Sequence, residues 1–320
     1  MSRVLQPDDS WDMGKAMKLT ERHGSFLLST ATALWMVYPA LKDLLRSSQQ
    51  GELYSHIALI PFVSAYLFYV NRKTIFSDPR YSYVPGIALS VIGLILYLTG
   101  TNQQSVLSQN DHAALTTLSA LLFWAGSFLL LYGTKAFRAA TFPILFLLFM
   151  VPIPSALMNP ILSFLQVGSA RISHLLFLLI GMPFSREGLV FQLPGVSIKV
   201  AEQCSGIRSS LALLITSVLA AHVFLRGTWR RAAFMLSVLP IALFKNAVRI
   251  VTISWLSVYV DRRILEGGFL HKSGGFLFFA LGLVILGAIL ILLRRIGEDD
   301  DSSTKVAPAG DTAYSPLSRS

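Results

Sequence analysis

Charge is scarce in this chain. Of its 320 residues only 14% are Asp, Glu, Lys or Arg, against 53% hydrophobic, and uncharged runs recur along its length. A soluble domain of this size has no use for so much apolar surface, so the composition excludes an ordinary globular enzyme and predicts a polytopic helical membrane protein. Cysteine is scarcer still. The single residue, Cys204, excludes an internal disulfide and a Cys-rich metal site. Acid is also short, 17 Asp and Glu against 27 Lys and Arg, for a net charge of +10. The basic residues stand in short clusters between apolar runs, which the positive-inside bias explains, so no nucleic-acid partner is expected. There is no Gly-rich phosphate loop and no internal repeat. Residues 1–24 are polar with no early apolar core, which predicts a cytoplasmic N-terminal segment without a cleavable signal peptide.

What is present is a series of apolar runs. Candidate spans are Ser25–Leu41, Tyr54–Val70, Tyr83–Thr99 and Ala113–Tyr132. A fifth runs from about Ala139 toward Leu157, with Pro152 and Pro154 breaking it late; Ile207–Leu225, Ala232–Ile250 and Gly274–Leu293 complete a set of about eight. Each is long enough, or nearly so, for a hydrocarbon core of roughly 30 Å. The segment Pro160–Ile180 is as long, but Gln166, Ser169, Arg171 and His174 interrupt it. Charge at mid-membrane is costly, so it reads as an interfacial or re-entrant helix. Loop charges agree: with a cytoplasmic N-terminus, Lys15, Lys18, Arg22, Arg72, Lys73, Arg80, Lys135, Arg138, Arg226, Arg230, Arg231, Arg294 and Arg295 all fall inside, while the outer loop 100–112 carries no Lys or Arg. That arrangement puts Cys204 outside.

Between Met182 and Gln203 the period changes. Leu189–Leu193 is short and strand-like, and Val196, Ile198 and Val200 alternate with polar residues; Pro194-Gly195 between them suits a type II turn. A small extracytoplasmic β-hairpin leading into Cys204 is therefore expected. Residues 294–320, rich in Asp and Ser, read as a disordered cytoplasmic tail. The integral membrane domain is then 25–293.

Three polar features stand beyond what membrane folding needs. Cys204 lies where a polar stretch meets the start of a span, and the unpaired N–H groups and positive dipole of a helix start favour thiolate. By position alone, a lone cysteine in an apolar protein is a small core residue. Arg249, 17 residues beyond Ala232, is about 26 Å along a helix from the inner face, with Asn246 one turn earlier. Interfacial snorkelling is its simpler reading. His271 precedes the last span and sits at the outer boundary. Thiol, guanidinium and imidazole at one depth suit acyl transfer: a nucleophile, an oxyanion stabiliser and an acid/base. None of His56, His112, His174 and His222 has a second ligand at helical spacing, so no metal is expected, although His174 rivals His271.

CSGIRS at Cys204–Ser209, NAVR at Asn246–Arg249, and His271 followed by Gly275 resemble the three signature blocks of the exosortase and archaeosortase family. VPIP at Val151–Pro154 and REG at Arg186–Gly188 also resemble that family's pattern, and the signature-bearing part is 141–293. The resemblance implies a multi-pass transpeptidase of a prokaryotic plasma (inner) membrane that uses no cofactor. It implies exported proteins as substrates, bearing a C-terminal sorting signal of a Pro-Glu-Pro-type motif, a transmembrane helix and a basic cluster. It also implies surface polysaccharide machinery as a further partner. By the same resemblance Cys204 is the nucleophile, Arg249 the oxyanion stabiliser and His271 the acid/base, with Arg208, Asn246, Ser205 and Gly206 supporting the site or positioning substrate. The alternative is a transporter or flippase in which Arg249 and Arg171 bind an anionic or lipid-linked substrate.

Overall fold

The computed structural model describes residues 7–46, 55–103, 105–200, 206–260 and 269–305, with side chains described over 20–40, 42, 57–103, 105–200, 206–260 and 275–296. It is a helical protein with one small sheet. The α-helices of six residues or more are α1 (Pro7–Arg46), α2 (Leu59–Val70), α3 (Tyr83–Asn102), α4 (Gln109–Ala139), α5 (Thr141–Phe146), α6 (Ser155–Leu179), α7 (Ile207–Phe224), α8 (Thr228–Leu236), α9 (Val238–Tyr259) and α10 (Phe269–Lys305). Among the described residues six helical stretches are long and apolar enough to cross a bilayer: α3, α4, α6, α7, α8 with α9, and Gly275–Ile296 of α10. Leu59–Val70 and Thr141–Met150 are shorter apolar helices. This is the polytopic all-α architecture the composition predicts.

Two compact units divide the chain, Met1–Ile161 and Leu162–Ser320. In the first, α3 lies against α4 at close range, because Gly86, Gly93 and Gly100 are buried at seven-residue spacing along α3. A Cβ at Gly93 would stand 2.5 Å from the Phe123 nitrogen, and one at Gly126 of α4 would stand 2.5 Å from the Ser90 nitrogen. Small residues are what let membrane helices approach this closely. An aromatic cluster of Phe26, Phe68, Phe76, Trp124, Phe128 and Tyr132 fills the space beside the pair. The N-terminal end of α4 is capped by Ser108, whose Oγ accepts from the Asp111 amide at 3.1 Å. Asp111 in turn accepts from the Ser155 amide at 2.6 Å, which fixes the start of α6.

The second unit packs α7, α8, α9 and α10 around Leu213, Phe234, Val238, Ile241 and Leu286. A separate core joins α6 and α9 to the sheet through Ala170, Phe177, Phe191, Val200 and Ile250. The sheet is antiparallel: β1 (Ser185–Glu187), β2 (Val190–Leu193) and β3 (Val196–Lys199), in that order. Arg186, Phe191 and Ile198 align across it. The expected hairpin is present as β2 and β3, and Gly195 at φ 75° makes their turn. The strand before it was not expected, because three residues, two of them charged, give no alternation to detect.

Three boundaries differ from the sequence expectation. The helix expected over Pro160–Ile180 starts earlier and ends a residue sooner, as the continuous α6, which by length and composition is long and apolar enough to span. Its polar residues sort by face, Ser169 inward and Arg171 outward, so hydropathy alone overstated their cost. The run Ala232–Ile250 divides near Pro240, which lacks the N–H that would bond the carbonyl four residues back, and α9 then continues through VTISWLSVY to Tyr259. The acidic stretch after Arg295 begins as helix up to Lys305; residues 306–320 lie outside the described residues.

Candidate active site

The backbone enters α7 through Gly206, which is buried and adopts φ 68°, ψ 17°. That left-handed conformation is nearly closed to residues with a Cβ. It turns the chain directly after Cys204 and Ser205, which lie outside the described residues. In the first turn of α7, Ser209 donates to the Gly206 carbonyl at 3.0 Å and Ser210 does so at 2.8 Å. Arg208 in the same turn is exposed.

Asn246 on α9 is pressed against this turn. A Cβ on Gly206 would lie 2.9 Å from Asn246 Oδ1 and 3.1 Å from its Cγ, so only glycine leaves room for the amide. Asn246 is 2% exposed. Its Nδ2 donates to Ser169 Oγ of α6 at 3.0 Å, and Ser169 is itself fully buried. Asn246 Oδ1 is buried without a hydrogen-bond partner among the described residues. Gly168 makes the approach of α6 to α9 feasible, since a Cβ there would meet Leu243 Cδ2 at 2.7 Å. The CSGIRS and NAVR blocks, some 40 residues apart in sequence, are thus in direct contact.

Lys245, beside Asn246, is equally buried and donates to Ser209 Oγ. Its aliphatic stem lies where Gly282 of α10 presents no side chain, with Lys245 Cδ 3.2 Å from the position of a Cβ there. One turn on, Arg249 is half-buried. No hydrogen bond or ion pair involving Arg249 occurs among the described residues. It lies near the middle of α9 rather than at its outer end, since the helix has no Gly or Pro to stop it after Ile250. Lys245 thus borders the start of α7, whose own N-terminal dipole is positive, with Arg249 one turn further along α9.

His271 falls in α10, but its side chain lies outside the described residues. His174 is half-buried on α6, edge-on to Phe184 with ring centroids 4.9 Å apart. The sequence expectation missed Lys245, Ser169 and Ser209. Lys245 had a signal, being a charge inside an apolar run. Ser169 had a weaker one, its four-residue spacing from Ser173, which is also fully buried.

A helical bundle with a buried polar inset, joined to a small sheet and a left-handed glycine turn, defines a polytopic membrane protein whose polar side chains are organised around one short motif. A sequence model described as transmembrane exosortase (Exosortase_EpsH) matches residues 47–288, and the chain belongs to that family. No curated protein and no solved structure matches it.

Proposed function

We propose that the protein is a membrane cysteine transpeptidase or protease that cleaves the C-terminal sorting signal of exported proteins at the extracytoplasmic face of a prokaryotic inner membrane. Membership of the exosortase family supports the class. The observation that carries the reading is the contact of Gly206 with Asn246, which ties the turn following Cys204 to the helix bearing Arg249. Such a contact fixes a nucleophile's neighbourhood relative to a cation, as acyl transfer requires.

In this reaction Cys204 Sγ, as thiolate, attacks the scissile carbonyl carbon. The C–S bond forms while the carbonyl π pair moves onto oxygen, where the Arg249 guanidinium stabilises the charge. Collapse breaks the C–N bond, and His271 gives a proton to the departing amine. The thioester is then attacked by water or an acceptor amine; His271 takes a proton from the attacking group and the thiolate is expelled. Asn246, Gly206, Ser205 and Arg208 hold the turn and the substrate. The substrate carries a Pro-Glu-Pro-type motif followed by a transmembrane helix and a basic cluster, and its helix docks laterally among the spans.

The test is a Cys204→Ala variant expressed with a tailed substrate. Full-length substrate accumulates in the variant, and wild type forms a hydroxylamine-sensitive adduct. Continued processing in the variant, with no adduct on wild type, overturns the proposal.

A further inference from the structure

A cavity of about 520 Å³ opens between α6 and the turn joining β1 to β2, lined by Arg171, His174, Leu175, Arg186 and Gly188. Every charge lining it is positive. Arg186 is fixed in place: its Nε donates to the Gly188 carbonyl at 2.8 Å and a terminal nitrogen donates to the Ala170 carbonyl at 3.3 Å. Its guanidinium carbon stands 5.5 Å from the centre of the Phe191 ring. Arg171 is exposed, and no hydrogen bond or ion pair involves it among the described residues. His174 Nδ1 is buried and lacks a hydrogen-bond partner among the described residues. A fixed guanidinium and a second one without a partner at one cavity are the complement of an anion.

The surroundings of Arg171 narrow the choice of anion. It interrupts an exposed apolar stripe on α6, with Phe164 54% exposed on one side and Leu175 and Leu178 58% and 60% exposed on the other. Their spacing of seven, four and three residues keeps them on one helix face. The sheet sets the depth. Its order leaves β1 and β3 each with one unpaired side among the described residues, and open strand edges do not occur in hydrocarbon. The half of α6 that packs on Phe191 therefore lies at head-group level, and Arg171 with it.

We propose that this cavity binds a glycerophospholipid, its phosphodiester held by Arg171 and Arg186 and its acyl chains running from there toward the bilayer centre along Phe164. A peptide carboxylate would satisfy the charges but would leave the apolar stripe without a role. The site does not depend on Cys204 or on the proposed chemistry.

The experiment uses the full chain, purified and delipidated in detergent, with binding followed by native mass spectrometry. Dioleoyl phosphatidylglycerol binds saturably, and Arg171→Gln weakens it about tenfold or more, the loss expected for one charge-assisted hydrogen bond. Arg226→Gln, in the loop between α7 and α8, does not. Arg186→Gln provides a second variant of the same site should Arg171→Gln fold poorly. Dioleoylglycerol, which has the chains but no phosphate, binds at least tenfold more weakly than the phospholipid. Equal binding of dioleoylglycerol overturns the proposal, as does unchanged phospholipid binding in both variants. Displacement of the lipid by a short acidic peptide, or by inorganic phosphate at equal concentration, also overturns it and assigns the cavity to a soluble anion.

Discussion

Replacing Gly206 by alanine tests the turn on which the site is built. At φ 68° a Cβ costs about 1–2 kcal/mol against the same residue in an ordinary conformation. The new methyl would also lie 2.9 Å from Asn246 Oδ1, so the amide must retreat by several tenths of an ångström. Asn246 is held by the 3.0 Å bond to Ser169, and retreat weakens it at a further cost of about 1 kcal/mol. Gly206→Ala should therefore destabilise the protein by about 2–3 kcal/mol. Because the strained peptide is two residues from Cys204, the proposed processing activity should fall about 100-fold, as for a misplacement near 1 Å. Thermal unfolding in detergent measures the first quantity and cleavage of a tailed substrate in membranes the second. Gly287→Ala on α10 is the control, since a Cβ there meets nothing within 4 Å. Adding Asn246→Ala to Gly206→Ala should recover part of the lost stability, because the steric partner is gone. A Gly206→Ala protein as stable as wild type would refute the left-handed turn, and additive losses in the double variant would refute the contact.

Further perturbations separate the other features. Lys245→Met removes a buried cation whose hydrogen-bond partner Ser209 still donates to Gly206, so stability in detergent should rise by about 1 kcal/mol while processing falls; a drop in Tm would count against this. Gly93→Ala should cost about 1–3 kcal/mol by forcing α3 from α4, read as a lower Tm, and a neutral result would sink the close-packing argument. Asp78 is partly exposed, and the hydrogen bond from Lys135, followed by that from Arg80, holds its carboxyl below the ordinary aspartate range. A depressed folded pKa contributes stability above the unfolded value and loses it as pH falls through the folded one. The small stability gap between wild type and Asp78→Asn should therefore be present at neutral pH and close on acidification. A gap that widens toward acid would contradict it.

Much of the architecture was legible because the bilayer imposes strong rules. Charge scarcity and run length disclosed the spans, and Pro194-Gly195 disclosed a turn that Gly195 makes at positive φ. Hydropathy reads only composition, however, and α6 shows where it stops. In that helix Ser169 turns inward to Asn246 while Arg171 turns outward, so one segment that averages as half-polar is a helix with two distinct faces. Arg249 shows the converse limit. A span length of about 20 residues ends the helix near Ile250 on paper, yet nothing in residues 251–259 stops it, and the backbone continues to Tyr259. Lys245 was hidden by its own motif, since it adjoins residues that already accounted for the pattern.

The buried polar inset has an electrostatic consequence for the proposed chemistry. Lys245 brings a cation to the first turn of α7 through Ser209, with Arg249 one turn further along α9, and no ion pair offsets either among the described residues. Taking such charges out of water costs several kcal/mol each unless an anion or a hydrogen-bond network compensates. The Ser209 bond compensates only part of this for Lys245, because a neutral hydroxyl supplies a dipole and no charge. An anion forming next to Gly206 would supply the rest, and in the proposed reaction two appear there in turn: the Cys204 thiolate before attack and the oxyanion after it. A site that is electrostatically incomplete until the reacting species is charged binds that species more tightly than the neutral ground state, which is the condition for lowering a barrier.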